Sequence, residues 1–182
     1  MRADALGVLG ELGSSVAGQG FLLAGTAAVF VAAPDIDHMA LRILHHRSIL
    51  THSVLLPLLV LWFAPELGPA AASGAALGVA VHLAADLLSP SRGFGRIWLP
   101  EPFQVSLGGW SPLWLMLNAL ACAWLALDVL PPGEIWRLMA GGVGAAMAVG
   151  YGLVRERSLL SALVALAVIA GGHVAEGWLR LA

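Results

Sequence analysis

Residues 69–88 read PAAASGAALGVAVHLAADLL. About 20 apolar residues cross a bilayer as one helix, so this stretch reads as a membrane span. Gly74 and Gly78 form a GxxxG on it, a spacing that lets a second helix approach closely. His82 and Asp86 are its only ionisable residues. They stand at i and i+4, on one face of a helix, and His82 lies about 9 Å before the end of the stretch at 1.5 Å per residue. That is near enough to the surface for water. A buried His–Asp hydrogen bond is the plain account of such a pair; a shared metal ion is the functional one, because ionisable groups inside a span are costly and mark function.

The rest of the chain extends the same pattern. Of 182 residues, 59% are hydrophobic and only 11% charged, with mean hydropathy +0.88. Soluble domains carry about 25% charged residues. Further apolar stretches fall at roughly 14–33, 48–66, 109–130, 134–154 and 158–179, each about the length of a span. The expected fold is an all-α integral membrane protein, a single membrane domain over 1–182 with about six transmembrane helices. Pro57 interrupts the second stretch, and Pro65, Pro69, Pro90, Pro100, Pro102, Pro131 and Pro132 punctuate the joins. Residues 1–10 read as a short amphipathic lead-in. Arg2 ahead of an apolar run resembles a signal leader, but Asp4 and Glu11 spoil it, so the first span is expected to be retained. Trp62, Trp110, Trp136 and Trp178 fall near span ends, as interface anchors do. The net charge of -2 offers no basic field for nucleic acid. Cys122, the single cysteine, is expected to pack in its apolar run.

The polar groups are concentrated in 34–100. PDIDH occupies 34–38, HHRSILTHS occupies 45–53, and five of the six histidines lie between His38 and His82. Threading the spans brings the Asp35/Asp37 end of the first, the His52 end of the second and the His82/Asp86 end of the third to one membrane face. Loops on that side hold Arg42, Arg47, Arg92, Arg96, Arg155 and Arg157, against Arg2, Arg137 and Arg180 on the other. Arginine excess marks the cytoplasmic side, so the site is expected there.

Asp35 and Asp37 are carboxylates one residue apart. In extended chain they point the same way, and close carboxylates repel unless a cation lies between them. Imidazole with carboxylate suits Zn, Mn or Fe better than Mg or Ca. The pooled ligand set is Asp35, Asp37, His46, His52, His82 and Asp86. It exceeds the three ligands and open position of one catalytic zinc and suits one or two divalent transition-metal ions, Zn or Mn, as in two-metal phosphatases and nucleases. Arg47 would then hold a phosphate bidentately, with a membrane-interface anchor as its bland reading. Thr51 and Ser53 would orient neighbouring ligands, and His38 and His45 are candidates for proton transfer. Neither HExxH nor GxSxG occurs in the chain. His173, with Glu176 three residues on, lies at the opposite face and reads as structural.

PDID, HRSILTHS, HLAADLLSP and WLP, in this order over about 34–100, resemble the YdjM-like family of bacterial inner-membrane, metal-dependent hydrolases suggested to act as phospholipases. Three residues, Ser48, Ile49 and Leu50, separate Arg47 from Thr51, where the family pattern has two. The resemblance implies that Asp35, Asp37, His46, Arg47, Thr51, His52, His82 and Asp86 form the family's polar site, and that the protein sits in the inner membrane.

The expected function is hydrolysis of a phosphoester in a lipid or lipid-linked substrate at the membrane face. Arg47 would stabilise the developing phosphoryl charge, and Asp35, Asp37 or Asp86 would accept a proton from the attacking water. The rival is a metal-ion or proton transporter using the same His/Asp cluster. Against it, the cluster sits at one face, and the fourth and fifth spans offer almost no polar groups for a pathway.

Overall fold

The computed structural model describes residues 15–88 and 95–180. Among them are six helices of nine residues or more: α1 (Val16–Phe30), α2 (Leu55–Phe63), α3 (Gly68–Asp86), α4 (Ser111–Asp128), α5 (Glu134–Gly150) and α6 (Leu159–Leu179). No strand occurs among the described residues; Trp98 makes isolated bridges to Ser48 and Ser106. The protein is an all-α membrane bundle. With their flanking turns, five stretches are long and apolar enough to cross a membrane, namely Val16–Leu44, Pro65–Asp86, Gly108–Asp128, Glu134–Arg155 and Leu159–Leu179. The lead-in at 1–10 lies outside the described residues.

Local chemistry sets the helix ends. Ser15 caps α1, its hydroxyl accepting from Gly18 N–H at 3.0 Å, and Ser158 caps α6, accepting from Ser161 N–H at 3.1 Å. Each satisfies one of the N-terminal N–H groups that a helix leaves unpaired. Pro69 and Pro112 open α3 and α4, where a missing N–H costs nothing. Gly133, at φ 146°, turns the chain between α4 and α5, a dihedral that a side chain would resist.

The second expected span, 48–66, is shorter than its hydropathy suggests. Its α-helical part is Leu55–Phe63, about 14 Å at 1.5 Å per residue, roughly half a hydrocarbon core. Residues 48–54 form turns in which the Thr51 hydroxyl donates to Asp37 and the Ser53 hydroxyl to Leu50 O at 2.9 Å. Pro57 does not break α2. It sits in the first turn, where proline is tolerated.

α3 is the axis of the bundle. It packs against all five other helices, and every residue from Ala70 to Asp86 is buried. Small side chains make this possible, since apolar lipid gives no hydrophobic drive and helices associate through close contact. A Cβ on Gly78 would stand 2.5 Å from Ala27 O and 2.7 Å from Val31 N, and one on Gly74 would fall onto Thr26 Oγ1 and Leu23 O. The GxxxG is thus the α1–α3 crossing, and it brings the end of α1 against His82. Gly78→Ala is expected to cost about 1–3 kcal/mol, the usual effect of forcing a methyl into a packed contact. Gly25→Ala, where a Cβ meets nothing within 4 Å, should be neutral or slightly stabilising in the same detergent unfolding measurement.

At the end of the bundle away from His82, Glu176 is 1% exposed. Arg137 reaches it at 2.7 Å and Arg180 also pairs with it. His173 lies against two backbone carbonyls, Nδ1 3.0 Å from Ile169 O and Nε2 3.2 Å from Arg137 O. Trp62, Trp110 and Trp178 are exposed near helix ends, whereas Trp136 packs partly against the core.

Candidate metal centre

α1 stops before Pro34, and the chain continues as a 3-10 helix over Ala33–Ala40. This geometry overturns the expectation that Asp35 and Asp37 share a side. At three residues per turn, i and i+2 are about 240° apart. Asp35 turns toward α3, with Oδ1 3.8 Å from His82 Nε2. Asp37 turns toward the loop at 46–52, fully buried.

Asp37 organises that loop. Its Oδ2 accepts from Arg47 N–H at 2.7 Å, Ser48 N–H at 3.1 Å and Thr51 Oγ1–H at 3.0 Å. Its Oδ1 lies 3.3 Å from His46 Nδ1. These bonds hold a strained backbone. His45 (φ 57°, ψ 152°) and Arg47 (φ 63°) both have left-handed φ, which costs a non-glycine residue about 1–3 kcal/mol. Trp98 adds a second support: its N–H donates to Arg47 O at 3.0 Å, its carbonyl accepts from Ile49 N–H at 2.8 Å, and its ring stacks on His45. Glu101 N–H donates to Ile43 O at 2.9 Å. The described part of the 89–108 loop, from residue 95 on, is therefore fastened to the site loop. Arg96 is exposed there, and Arg92 lies outside the described residues.

His52 and His82 are fully buried, and both present Nε2 to the same space. The tautomers follow from their other nitrogen. His82 Nδ1 lies 2.9 Å from Val31 O and 3.1 Å from Tyr151 Oη. A carbonyl only accepts, so Nδ1 carries the proton and Nε2 the lone pair. His52 Nδ1 lies 3.1 Å from Thr51 Oγ1, whose own hydrogen is directed to Asp37, so the same tautomer results. Among the described residues, neither Nε2 has a hydrogen-bond partner. Asp86 Oδ2 stands 3.6 Å from His52 Nε2 and 3.7 Å from His82 Nε2, too far for hydrogen bonds. These separations approach the spacing of atoms around one ion, because ligands at about 2.1 Å from a tetrahedral ion stand about 3.4 Å apart. Ligand atoms of Asp35, His52 and His82 all lie within 4.8 Å of one another, and so do those of Asp35, His38 and His46.

Arg47 takes a different place from the one expected. It is 3% exposed, and Nε donates to Asp86 Oδ2 at 3.0 Å, with a terminal nitrogen 3.4 Å from Oδ1. Its charge is directed at Asp86, so it is not a phosphate fork standing clear of the site. Burying Asp86 without a cation would be costly, which accounts for the pairing. His38 is exposed and stacks on His46, ring centroids 4.1 Å apart.

Thus Asp35, Asp37, His38, His46, Arg47, Thr51, His52, His82 and Asp86 lie in one connected cluster, while His45 stacks on Trp98 and the Ser53 hydroxyl donates to Leu50 O. Several supporting residues were not foreseen. Trp114 Nε1–H donates to His52 O at 2.9 Å, and Asn118 Oδ1 accepts from Val54 N–H at 3.0 Å. Together they fix the turn that carries His52 to α4. Tyr151, on a π-helical turn that ends α5, packs against His82. Asn118 was detectable as the one amide in its own apolar span, 109–130; Tyr151 carried no pattern beyond being the only tyrosine.

Fold and cluster together define a helical membrane protein whose buried Asp and His groups could hold a metal ion. No protein-family model, curated protein or solved structure matches the chain. The likeness to the YdjM-like family rests on the motifs alone.

Proposed function

We propose that the protein is a membrane-embedded, metal-dependent hydrolase acting on a phosphoester of a lipid or lipid-linked substrate. The observation that carries this reading is the pair of buried imidazole nitrogens, His52 Nε2 and His82 Nε2, without hydrogen-bond partners among the described residues and facing the carboxylates of Asp35 and Asp86. Buried polar atoms are almost always paired, so two orphans aimed at two carboxylates favour a cation between them. Asp35, His52 and His82 would hold it, with Asp86 beside them and bound to Arg47. Three protein ligands leave a position open for substrate, the pattern of catalytic rather than structural sites. Zn or Mn suits this donor set. When bound, such an ion supplies Lewis-acid polarisation of a phosphoryl oxygen and makes water nucleophilic at neutral pH.

The chain's own residues supply the rest. Asp37, through His46, Thr51 and the backbone of Arg47 and Ser48, fixes the loop. Val31 O and Thr51 set the tautomers of His82 and His52, as groups behind metal ligands commonly do. Asp35 is 18% exposed at its side chain, against 0% for Asp86, His52 and His82. It therefore stands where water and substrate enter. In the proposed reaction, water oxygen bonds to phosphorus and its proton passes to the carboxylate of Asp86, beside the ligands; the ester P–O bond breaks, and the departing oxygen takes up that proton to leave as an alcohol.

A lipid source for the ester is supported by a groove of about 380 Å³ between α1 and α2. Phe30, Ala33, Ile36, Leu59 and Phe63 help line it. Ala33 and Ile36 flank Asp35, so an acyl chain in the groove would lead its head group to the site.

The test uses full-length protein in vesicles containing phosphatidic acid and phosphatidylglycerol, with added Zn or Mn. Release of inorganic phosphate or of a head group, abolished by chelator, is the expected result. No release with either metal, together with metal uptake into the vesicles, would overturn the reading in favour of transport.

A further inference from the structure

The cluster contains a second, outer group of donors that one buried ion does not use. Asp35, His38 and His46 place ligand atoms within 4.8 Å of one another. Asp35 belongs to this group and also to the inner one with His52 and His82. A carboxylate has two oxygens and can serve two ions. His46 Nδ1 faces Asp37 Oδ1 at 3.3 Å, so Nε2 is the nitrogen that remains to ligate. This is the arrangement of a carboxylate behind a metal-binding histidine. The His38 and His46 rings stack at 4.1 Å with 28° between their planes, which brings two imidazoles together on the exposed side of Asp35.

We infer that the protein holds two divalent transition-metal ions that share Asp35: an inner one on His52 and His82, and an outer one on His38 and His46. The inference rests on the metal reading of Asp35 proposed above, but not on the substrate. It reassigns His38 from proton carrier to ligand. The two positions differ in burial, with His52 and His82 at 0% and the His46 side chain at 35%. The inner ion is therefore expected to bind tightly and exchange slowly, and the outer one to exchange readily. Paired ions in hydrolases lie about 3.5–4 Å apart and together bear the charge of the attacking and leaving oxygens.

The test titrates chelator-stripped, full-length protein in detergent with Mn²⁺, reading bound metal by elemental analysis and electron paramagnetic resonance. The expected result is two ions per chain with a spin-coupled signal. A His38→Ala/His46→Ala variant should retain one ion, tightly held and uncoupled. His38 is exposed and His46 partly so, so this variant should fold, which its melting profile checks. Saturation of the wild type at one ion, two ions without spin coupling, or unchanged stoichiometry in the double variant would each overturn the inference. Two coupled ions in a protein that releases nothing from any phosphoester would leave this inference standing while the hydrolase reading fell.

Discussion

Replacing His82 by alanine is expected to remove the tightly held metal and to lower hydrolysis by more than the 10–100-fold that loss of a group behind a ligand costs. Among the described residues His82 Nε2 has no hydrogen-bond partner, and it stands between Asp35 Oδ1 and Asp86 Oδ2 at 3.8 and 3.7 Å. The bundle should still form, because α3 is held by Gly74, Gly78 and its alanines rather than by the imidazole. The variant does leave Val31 O without its donor, a penalty of about 1–3 kcal/mol. Stability offers an independent measurement. A ligand that binds only the folded state at 100 times its Kd adds about 2.7 kcal/mol. Added metal should therefore raise the melting temperature of the wild type by more than that of His82→Ala, which keeps only the outer donors Asp35, His38 and His46. His173→Ala, at the opposite end of the bundle, should keep both metal and activity. Full occupancy in His82→Ala, or an equal loss in His173→Ala, would show that the site lies elsewhere.

Asp37→Ala should be the most destabilising substitution in the cluster, at about 3–5 kcal/mol, comparable to breaking a buried ion pair. Two backbone N–H groups and the Thr51 hydroxyl converge on one oxygen, and each buried donor left unpaired costs about 1–3 kcal/mol. The strain at His45 and Arg47 would lose its counterweight at the same time. Asp37→Asn keeps an oxygen to accept from the loop and is expected to recover most of that loss while retaining the inner ion. Asp35→Asn should do the reverse, leaving the melting temperature of the metal-free protein nearly unchanged but weakening metal binding. Thermal unfolding in detergent and elemental analysis separate the two. If folded Asp37→Asn loses metal as completely as Asp35→Asn, Asp37 is itself a ligand.

The class of the protein was legible because membrane residence is an additive property of composition. Each apolar residue contributes its own transfer energy, so 69–88 reads as a span without knowledge of its neighbours. Some helix ends were legible for a similar reason: Pro69 at the start of α3, and Pro131 and Pro132 between α4 and α5, act on the backbone locally. The meeting of Asp35, His52 and His82 was legible too, since helices that cross and return bring fixed positions to one face.

What each polar atom bonds to was decided by the tertiary structure. Asp35 and Asp37 are chemically equal in sequence. They part because a 3-10 turn, rather than an extended strand, follows Pro34. Arg47 reads as a phosphate ligand until a buried Asp86, 39 positions away, requires its charge. The stretch 48–66 has the hydropathy of a span, yet its first residues are withheld from helix by Thr51, whose hydroxyl bonds Asp37, and by Ser53, whose hydroxyl bonds Leu50 O. Trp114, Asn118 and Tyr151 reach the site from α4 and the end of α5, 62 to 69 positions from the residues they hold. Hydropathy and periodicity report the free energy of a segment against water or lipid. Hydrogen bonds in a buried cluster depend on directions and on separations of a few tenths of an ångström, and those exist only once the helices have packed.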